Sequence, residues 1–192
     1  MRVIFNRMQA IPAGGRKYSD MVSEIHPLVA LALRSIQHHI ENRSPLPCPN
    51  PLPEDLKHRA GTFVSIKKNG LLRGCIGTIQ PKYANLAEEV IQNAIKASNE
   101  DPRFPPIEKQ ELAQLTVSVD VLTAPEKIDD TLTLDVNRYG LIVRSQGKQG
   151  LLLPNLENVK TVNQQLKICL KKGGIAETEN YELYRFEVKR FK

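Results

Sequence analysis

Apolar and polar positions recur along this chain with two different periods, and each change of period marks an element. Leu28, Leu31, Ala32, Ser35, Ile36, His39 and Ile40 return every three or four residues, the spacing of one helix face. Pro27 suits the first turn of that helix, where its missing N–H has no partner to lose. His39 falls on the stripe and His38 faces away. Five prolines between Ser44 and Pro53 then impose an extended surface path, within which Cys48 reads as an exposed thiol. From Gly61 to Lys67 the period drops to two, with Phe63 on one side and Val64 and Ile66 on the other. Asn69-Gly70 supplies the positive-φ pair of a tight hairpin turn, and Leu71 to Ile79 returns as a well-paired antiparallel strand.

The helical period resumes after Pro81. Asn85 is placed to cap a helix in which Leu86, Val90, Ala94 and Ala97 form one row, with Ile91, Ile95 and Ser98 beside it. Asp101-Pro102-Arg103-Phe104-Pro105-Pro106 stops it, and three prolines in so short a loop present Asp101, Arg103 and Phe104 with little entropy left to lose on binding. Leu115 to Leu122 alternates as a strand, with Val117, Val119 and Val121 on one face and Asp120 on the other. A second hairpin follows over Gly140–Ser145 and Gly150–Leu153. Thr161 with Gln164 makes a capping box for a third helix carrying Val162, Leu166, Cys169 and Leu170, and Gly173-Gly174 closes it. Tyr181 to Phe191 alternates again, turning Tyr184, Phe186 and Val188 inward. Strands and helices interleave without a βαβ repeat, so the expected class is α+β: a mixed, mainly antiparallel sheet flanked by helices.

Length and composition narrow this further. The 192 residues fit a leader over 1–20, poorly anchored and with a short strand at Val3–Phe5, followed by one domain over 21–192. A chain of this size buries about 70% of its unfolded surface and needs no metal or disulfide staple. The longest apolar run, Pro27 to Leu33, is far short of the ~20 residues of a membrane span. The net charge of +6 comes from dispersed residues, clustering at Lys171-Lys172 and Lys189-Arg190-Phe191-Lys192. No aromatics interleave as in a single-strand groove, so nucleic acid is not an expected partner and the basic faces read as solvated. Cys48, Cys75 and Cys169 are an odd set without CxxC spacing, which points to reduced thiols in the cytoplasm, with no metal site and no cofactor implied.

Leu72-Arg73-Gly74-Cys75-Ile76-Gly77-Thr78 concentrates the chemistry. A thiol attacks as its thiolate, a form that a nearby guanidinium favours, and on a regular strand Arg73 and Cys75 point to the same face. Cys75 is the candidate nucleophile. Arg73 can hold a carboxylate or phosphate bidentately, and Gly74 and Gly77 admit either a ligand or a close-packed backbone.

The same stretch resembles the LRGCIGT signature of the AMMECR-type family. Asp101 to Pro106, Ser118 to Leu122, Arg138 to Val143 and Gly150 to Pro154 resemble that family's further blocks, in order. The resemblance implies two lobes with the signature strand near a cleft between them. It also implies a place beside a Memo-type protein and a radical SAM protein, and it brings no reaction. Many members carry a tryptophan between Pro154 and Thr161; this chain has none. The favoured function is binding of a small anionic ligand or a partner protein through Arg73 to Thr78, aided by Asp101, Arg103, Phe104 and Asp120. The alternatives are a thiol-dependent enzyme using Cys75 and a nucleic-acid-binding protein.

Overall fold

A computed structural model describes residues 25–192; the leader and strand expected within residues 1–20 lie outside them. Helix α1 spans Pro27–Asn42, its first turn held by the His26 ring, whose Nδ1 accepts the Leu28 N–H. Helix α2 spans Leu86–Asn99 behind the Asn85 cap. Helix α3 spans Val162–Gly173 between the Thr161–Gln164 capping box and a left-handed Gly174. The strands are β1 (Thr62–Lys68), β2 (Leu71–Gly77), β3 (Leu115–Leu122), β4 (Glu126–Ile128), β5 (Tyr139–Ser145), β6 (Lys148–Leu152) and β7 (Glu182–Phe191).

They form one sheet in the order β2-β1-β3-β7-β5-β6, with β4 also on β7, and each of these pairings is antiparallel. The α+β expectation therefore holds, with antiparallel pairing throughout. β7 is shared: Val188–Phe191 pairs with β3, and Glu182–Glu187 pairs with β5. The expectation of a well-paired signature strand needs correcting, because β2 is the edge of the sheet.

Val64, Ile66, Val117 and Val119 pack with α1 and α2, and Phe191 joins that cluster. Leu141, Val143 and Leu183 pack with Cys169 and Leu170 of α3. Leu183 and Phe191 lie eight residues apart on β7, hence on the same side, so all three helices cover one side of the sheet. The opposite side has no helix among the described residues. Leu122, Ile142, Leu151 and Phe186 are nevertheless buried there, with Phe63, Ile79, Leu153 and Val188 against them, because the sheet curls over itself.

Two cysteines are spoken for by this packing. Cys169 is fully buried, and burial pushes its thiol up to about 12. Cys48, expected to be exposed, is half-buried: the proline segment lays Leu46, Cys48 and Leu52 against the α1–α2 core. No described helix is long and apolar enough to cross a membrane.

Candidate functional site

The register of the first hairpin decides where the signature side chains go. From the Asn69-Gly70 turn, Lys68 pairs with Leu71 and Lys67 with Leu72, but Ile66 then pairs with Gly74. Arg73 has no partner on β1 and forms a bulge, a device that re-aims a side chain. Arg73 and Cys75 therefore do not share the regular alternation assumed for them. The Arg73 guanidinium turns to the β2 edge. Its Nε and Nη2 donate to the Glu111 carboxylate at 3.1 and 2.8 Å, while Nη1 and Nη2 reach the carbonyls of Pro105 and Pro106. Lys68 Nζ donates to the same carboxylate at 2.9 Å. With 13% of the Arg73 side chain and 11% of the Glu111 side chain exposed, this is a clamp inside the fold.

A second clamp holds the same loop. Asp101 accepts the Cys75 N–H at 2.8 Å, so its carboxylate stands where a neighbouring strand would. Arg103 Nε and Nη2 grip Asp101 at 2.9 and 2.7 Å, and Nη2 lies 3.4 Å from the Cys75 carbonyl. Asp101 was expected to be presented for binding; its side chain is 2% exposed, whereas that of Arg103 is 55% exposed. Phe104 is half-buried, with the Arg103 guanidinium 5.5 Å over its ring. The two clamps close the open edge of β2.

Both clamp carboxylates titrate abnormally. Hydrogen bonds from Arg73 pull Glu111 down to about 2 against the opposing effect of burial, aided by the Glu108 N–H and Lys68. Hydrogen bonds from Arg103 hold Asp101 well below the usual carboxylate range, again against burial and with the Cys75 N–H assisting. A carboxylate whose folded-state pKa is depressed contributes stability above its unfolded pKa of about 4 and loses it as pH falls. Urea midpoints should therefore decline from about pH 5 down to about pH 2, and the decline should be shallower in Arg73→Ala. A midpoint flat across that window would refute both clamps.

The glycines and threonine of the signature serve packing. A Cβ on Gly74 would lie 2.1 Å from the Ala97 carbonyl oxygen, so α2 touches β2 backbone to backbone; one on Gly77 would enter the Phe63 ring. Thr78 is buried and donates to the Glu89 carboxylate, which also accepts the N–H groups of Lys82 and Tyr83. Asn93 Nδ2 bridges Thr62 and Thr78.

Cys75 alone of the signature set faces the helix-free side with a reactive group. The bulge sets it opposite Ser65, which is itself opposite Ser118. The half-exposed thiol lies 3.2 Å from Ser65 Oγ. One row along, Gly77, Phe63, Asp120 and Arg190 are successive register partners. Arg190 Nε and Nη2 grip Asp120, both at 2.7 Å. The Asp120 side chain is 2% exposed and that of Arg190 39%. The charge on Arg103 is favoured first by Asp101 and that on Arg190 first by Asp120; Cys75 adds to both.

Ser65, Ser118, Glu111 and Arg190 were not among the sequence candidates. Only Arg190 had a usable signal, since it continues the alternation of Phe186 and Val188. Two open hollows are present: one of about 610 Å³ lined by His58–Ala60 and by Val121, Leu122, Val188 and Lys189 next to Asp120 and Arg190, and one of about 370 Å³ at the β5–β6 turn. Among the described residues no group of three or more His, Cys, Asp or Glu could hold a metal.

Known proteins are similar to this chain in sequence and in fold. A profile of the AMMECR1 family matches residues 29–191. A protein of Thermotoga maritima is 45% identical over 175 residues, covering 90% of this chain and 100% of the relative. A protein of Clostridium acetobutylicum is 44% identical over 92% of this chain, which corresponds to 38% of that longer relative. In three dimensions the chain resembles the crystal structure of an uncharacterized protein from Pyrococcus horikoshii, with a TM-score of 0.72 and 31% identity. That match covers 85% of this chain and 88% of the other.

Proposed function

The chain belongs to the AMMECR1 family, and we propose that its helix-free face around Cys75 binds an anionic group displayed by a partner protein. One observation carries this reading: two guanidiniums flank a half-exposed thiol, Arg103 from beyond the β2 edge and Arg190 from β7. Each is anchored through Nε and Nη2 to a buried aspartate, which leaves Nη1 without a hydrogen-bond partner among the described residues. Pre-anchored guanidiniums lose little freedom when they take up a carboxylate or phosphate. Cys75, Arg103, Asp120 and Arg190 themselves line neither hollow, and an open sheet face suits a group presented on a macromolecule better than an engulfed metabolite.

In this reading Asp101 and Asp120 orient the two arginines, Phe104 offers an apolar margin, and Arg73 acts indirectly by fixing the loop. Gly74, Gly77 and Thr78 set the sheet geometry beneath. The Memo-type and radical SAM proteins implied by the family resemblance are the candidate partners. In this reading the face between Arg103 and Arg190 serves in place of the cleft that the resemblance implies. A reducing cytoplasm suits three free thiols. Thiol-dependent chemistry is the weaker reading, because the thiol's partner is a serine hydroxyl, a poor base. Nucleic-acid binding rests on net charge, and Arg190 of the basic terminus is already tied to Asp120.

Inorganic phosphate and succinate serve as surrogate anions. Their titration should shift the amide resonances of Phe63–Ser65, Cys75–Thr78 and Ser118–Asp120. Arg103→Gln should weaken the interaction about tenfold, the scale of one charge-assisted hydrogen bond, whereas Cys75→Ser should retain it. Shifts spread over the whole surface, or unaltered by Arg103→Gln, would sink the proposal.

A further inference from the structure

We propose that the 610 Å³ hollow lined by His58–Ala60 binds a small molecule that joins a compact apolar body to a phosphate or carboxylate. The site opens on the other side of the sheet from Cys75 and stands independently of the reading above.

The helices cover their side of the sheet in two groups, and β7 shows where one group gives way to the other. Leu183 packs in the α3 core and Phe191 in the α1–α2 core. Eight residues of strand, about 27 Å, separate them. Arg185, Glu187 and Lys189 occupy the same side in between, so a charged strip separates two apolar cores. By the same alternation Val121 follows Val119 toward the helices, while Asp120 and Arg190 face the opposite way. Val121, Glu187 and Lys189 all line the hollow, which therefore opens in this seam.

The anion end of the site is built by a chain of anchors. Glu89 of α2 is fully buried, and its carboxylate accepts the N–H groups of Lys82 and Tyr83. Two carbonyls of that same turn hold Arg59: its Nε donates to Tyr83 at 3.0 Å and its Nη2 to Pro81 at 2.9 Å. The Leu86 N–H donates to the His58 carbonyl at 2.8 Å, which ties the segment to the start of α2. Carbonyls position a guanidinium without neutralising it. Among the described residues no carboxylate pairs with Arg59, and its Nη1 has no hydrogen bond. Lys189, across the hollow, has no acidic partner there either; its Nζ lies 5.2 Å over the Phe191 ring. The carboxylate of the lining, Glu187, is already held by Arg138 at 2.9 and 3.2 Å. A positioned guanidinium with its charge intact loses little freedom in taking up a phosphate or carboxylate.

The rest of the lining sets the ligand's other end. Ala60, Val121, Ala124 and Val188 give the hollow apolar walls. Its volume falls within the range of about 300–1,000 Å³ usual for small-molecule sites. An inorganic ion would leave those walls wet, whereas a ligand with an apolar body covers them.

The folded full-length chain is titrated with 1-naphthyl phosphate and with 1-naphthoate while amide resonances are followed. At least one should give saturable shifts at Arg59–Gly61 and Leu122–Ala124, and the tighter of the two names the anion. Inorganic phosphate should bind there about tenfold more weakly, the factor that roughly 60 Å² of buried apolar surface supplies. 1-Naphthylmethylammonium, with a similar body and the opposite charge, should not saturate these amides. Arg59→Gln should weaken the naphthyl anion about tenfold, the scale of one charge-assisted hydrogen bond. Lys189→Gln should weaken it by a smaller factor, through lost charge alone. The Lys189 side chain has no hydrogen bond among the described residues to lose, so this arm stands even if Arg59→Gln loosens the Pro81–Tyr83 turn. No saturation by either anion at these amides, equal affinity for the ammonium compound, or an affinity unchanged in either folded variant would each overturn the proposal.

Discussion

Replacing Gly74 by alanine is expected to destabilise the protein by about 3 kcal/mol, the upper range for overpacking a tight contact. The added methyl would be 2.1 Å from the Ala97 carbonyl oxygen. That oxygen belongs to the α2 backbone, so no side-chain rotation relieves the overlap; helix and strand must separate. Their separation would strip cover from Val64 and Ile66 in the α1–α2 core. Gly70 is the matched control. It has φ +82° at the hairpin turn, and nothing lies within 4 Å of an added Cβ. Gly70→Ala should therefore cost only the backbone penalty of about 1–2 kcal/mol. Urea midpoints at constant slope measure both, and a Gly74→Ala midpoint no lower than that of Gly70→Ala would show that α2 does not bear on β2 as described.

The Arg73–Glu111 clamp is the second large effect. Glu111→Ala should cost about 3–5 kcal/mol, the range for stranding one member of a buried pair. The stranded guanidinium retains only the Pro105 and Pro106 carbonyls. Arg73→Ala should cost somewhat less, because Lys68 still serves the carboxylate. The double variant should be milder than the sum of the singles by about 2 kcal/mol. Strict additivity would mean that the two side chains act independently. The cycle also bears on function: if Arg73 holds the loop that carries Arg103, its replacement should weaken anion binding only as far as the loop loosens. Arg73→Lys, which retains the charge, should then restore part of both stability and binding.

Much of the fold was legible in the residues because its signals are local. Pro27, Asn85 and the Thr161–Gln164 box announce helix starts through groups within one turn, and the alternation of Val117, Val119 and Val121 delimits β3. Asn69-Gly70 fixes the first hairpin for the same reason. β4 was missed because three residues after Pro125 are too few to show a period. The site was less legible, and the bulge at Arg73 explains most of the gap. Counting back from the turn without it sets Ser65 opposite Gly74 and leaves Cys75 with no hydroxyl beside it; one unpaired residue changes every partner beyond it. Glu111 and Asp120 were illegible as partners of arginines because those arginines lie 38 and 70 residues away in sequence. Cys48 was misplaced for a related reason, since alternating prolines describe a path and not what the path lies against.

The shared strand carries a consequence for how this protein can change over generations. β7 gives its last four residues to the part of the sheet that backs α1 and α2 and the preceding ones to the part that backs α3. A crossover in the gene between those two parts would hand one descendant a sheet lacking the strand that completes it. In the Clostridium relative the match to 92% of this chain occupies 38% of a longer one. Neither half, however, can be traded separately. What is inherited is the entire sheet, with Arg190 at one end of β7 held in step with Tyr184 and Phe186 toward the other.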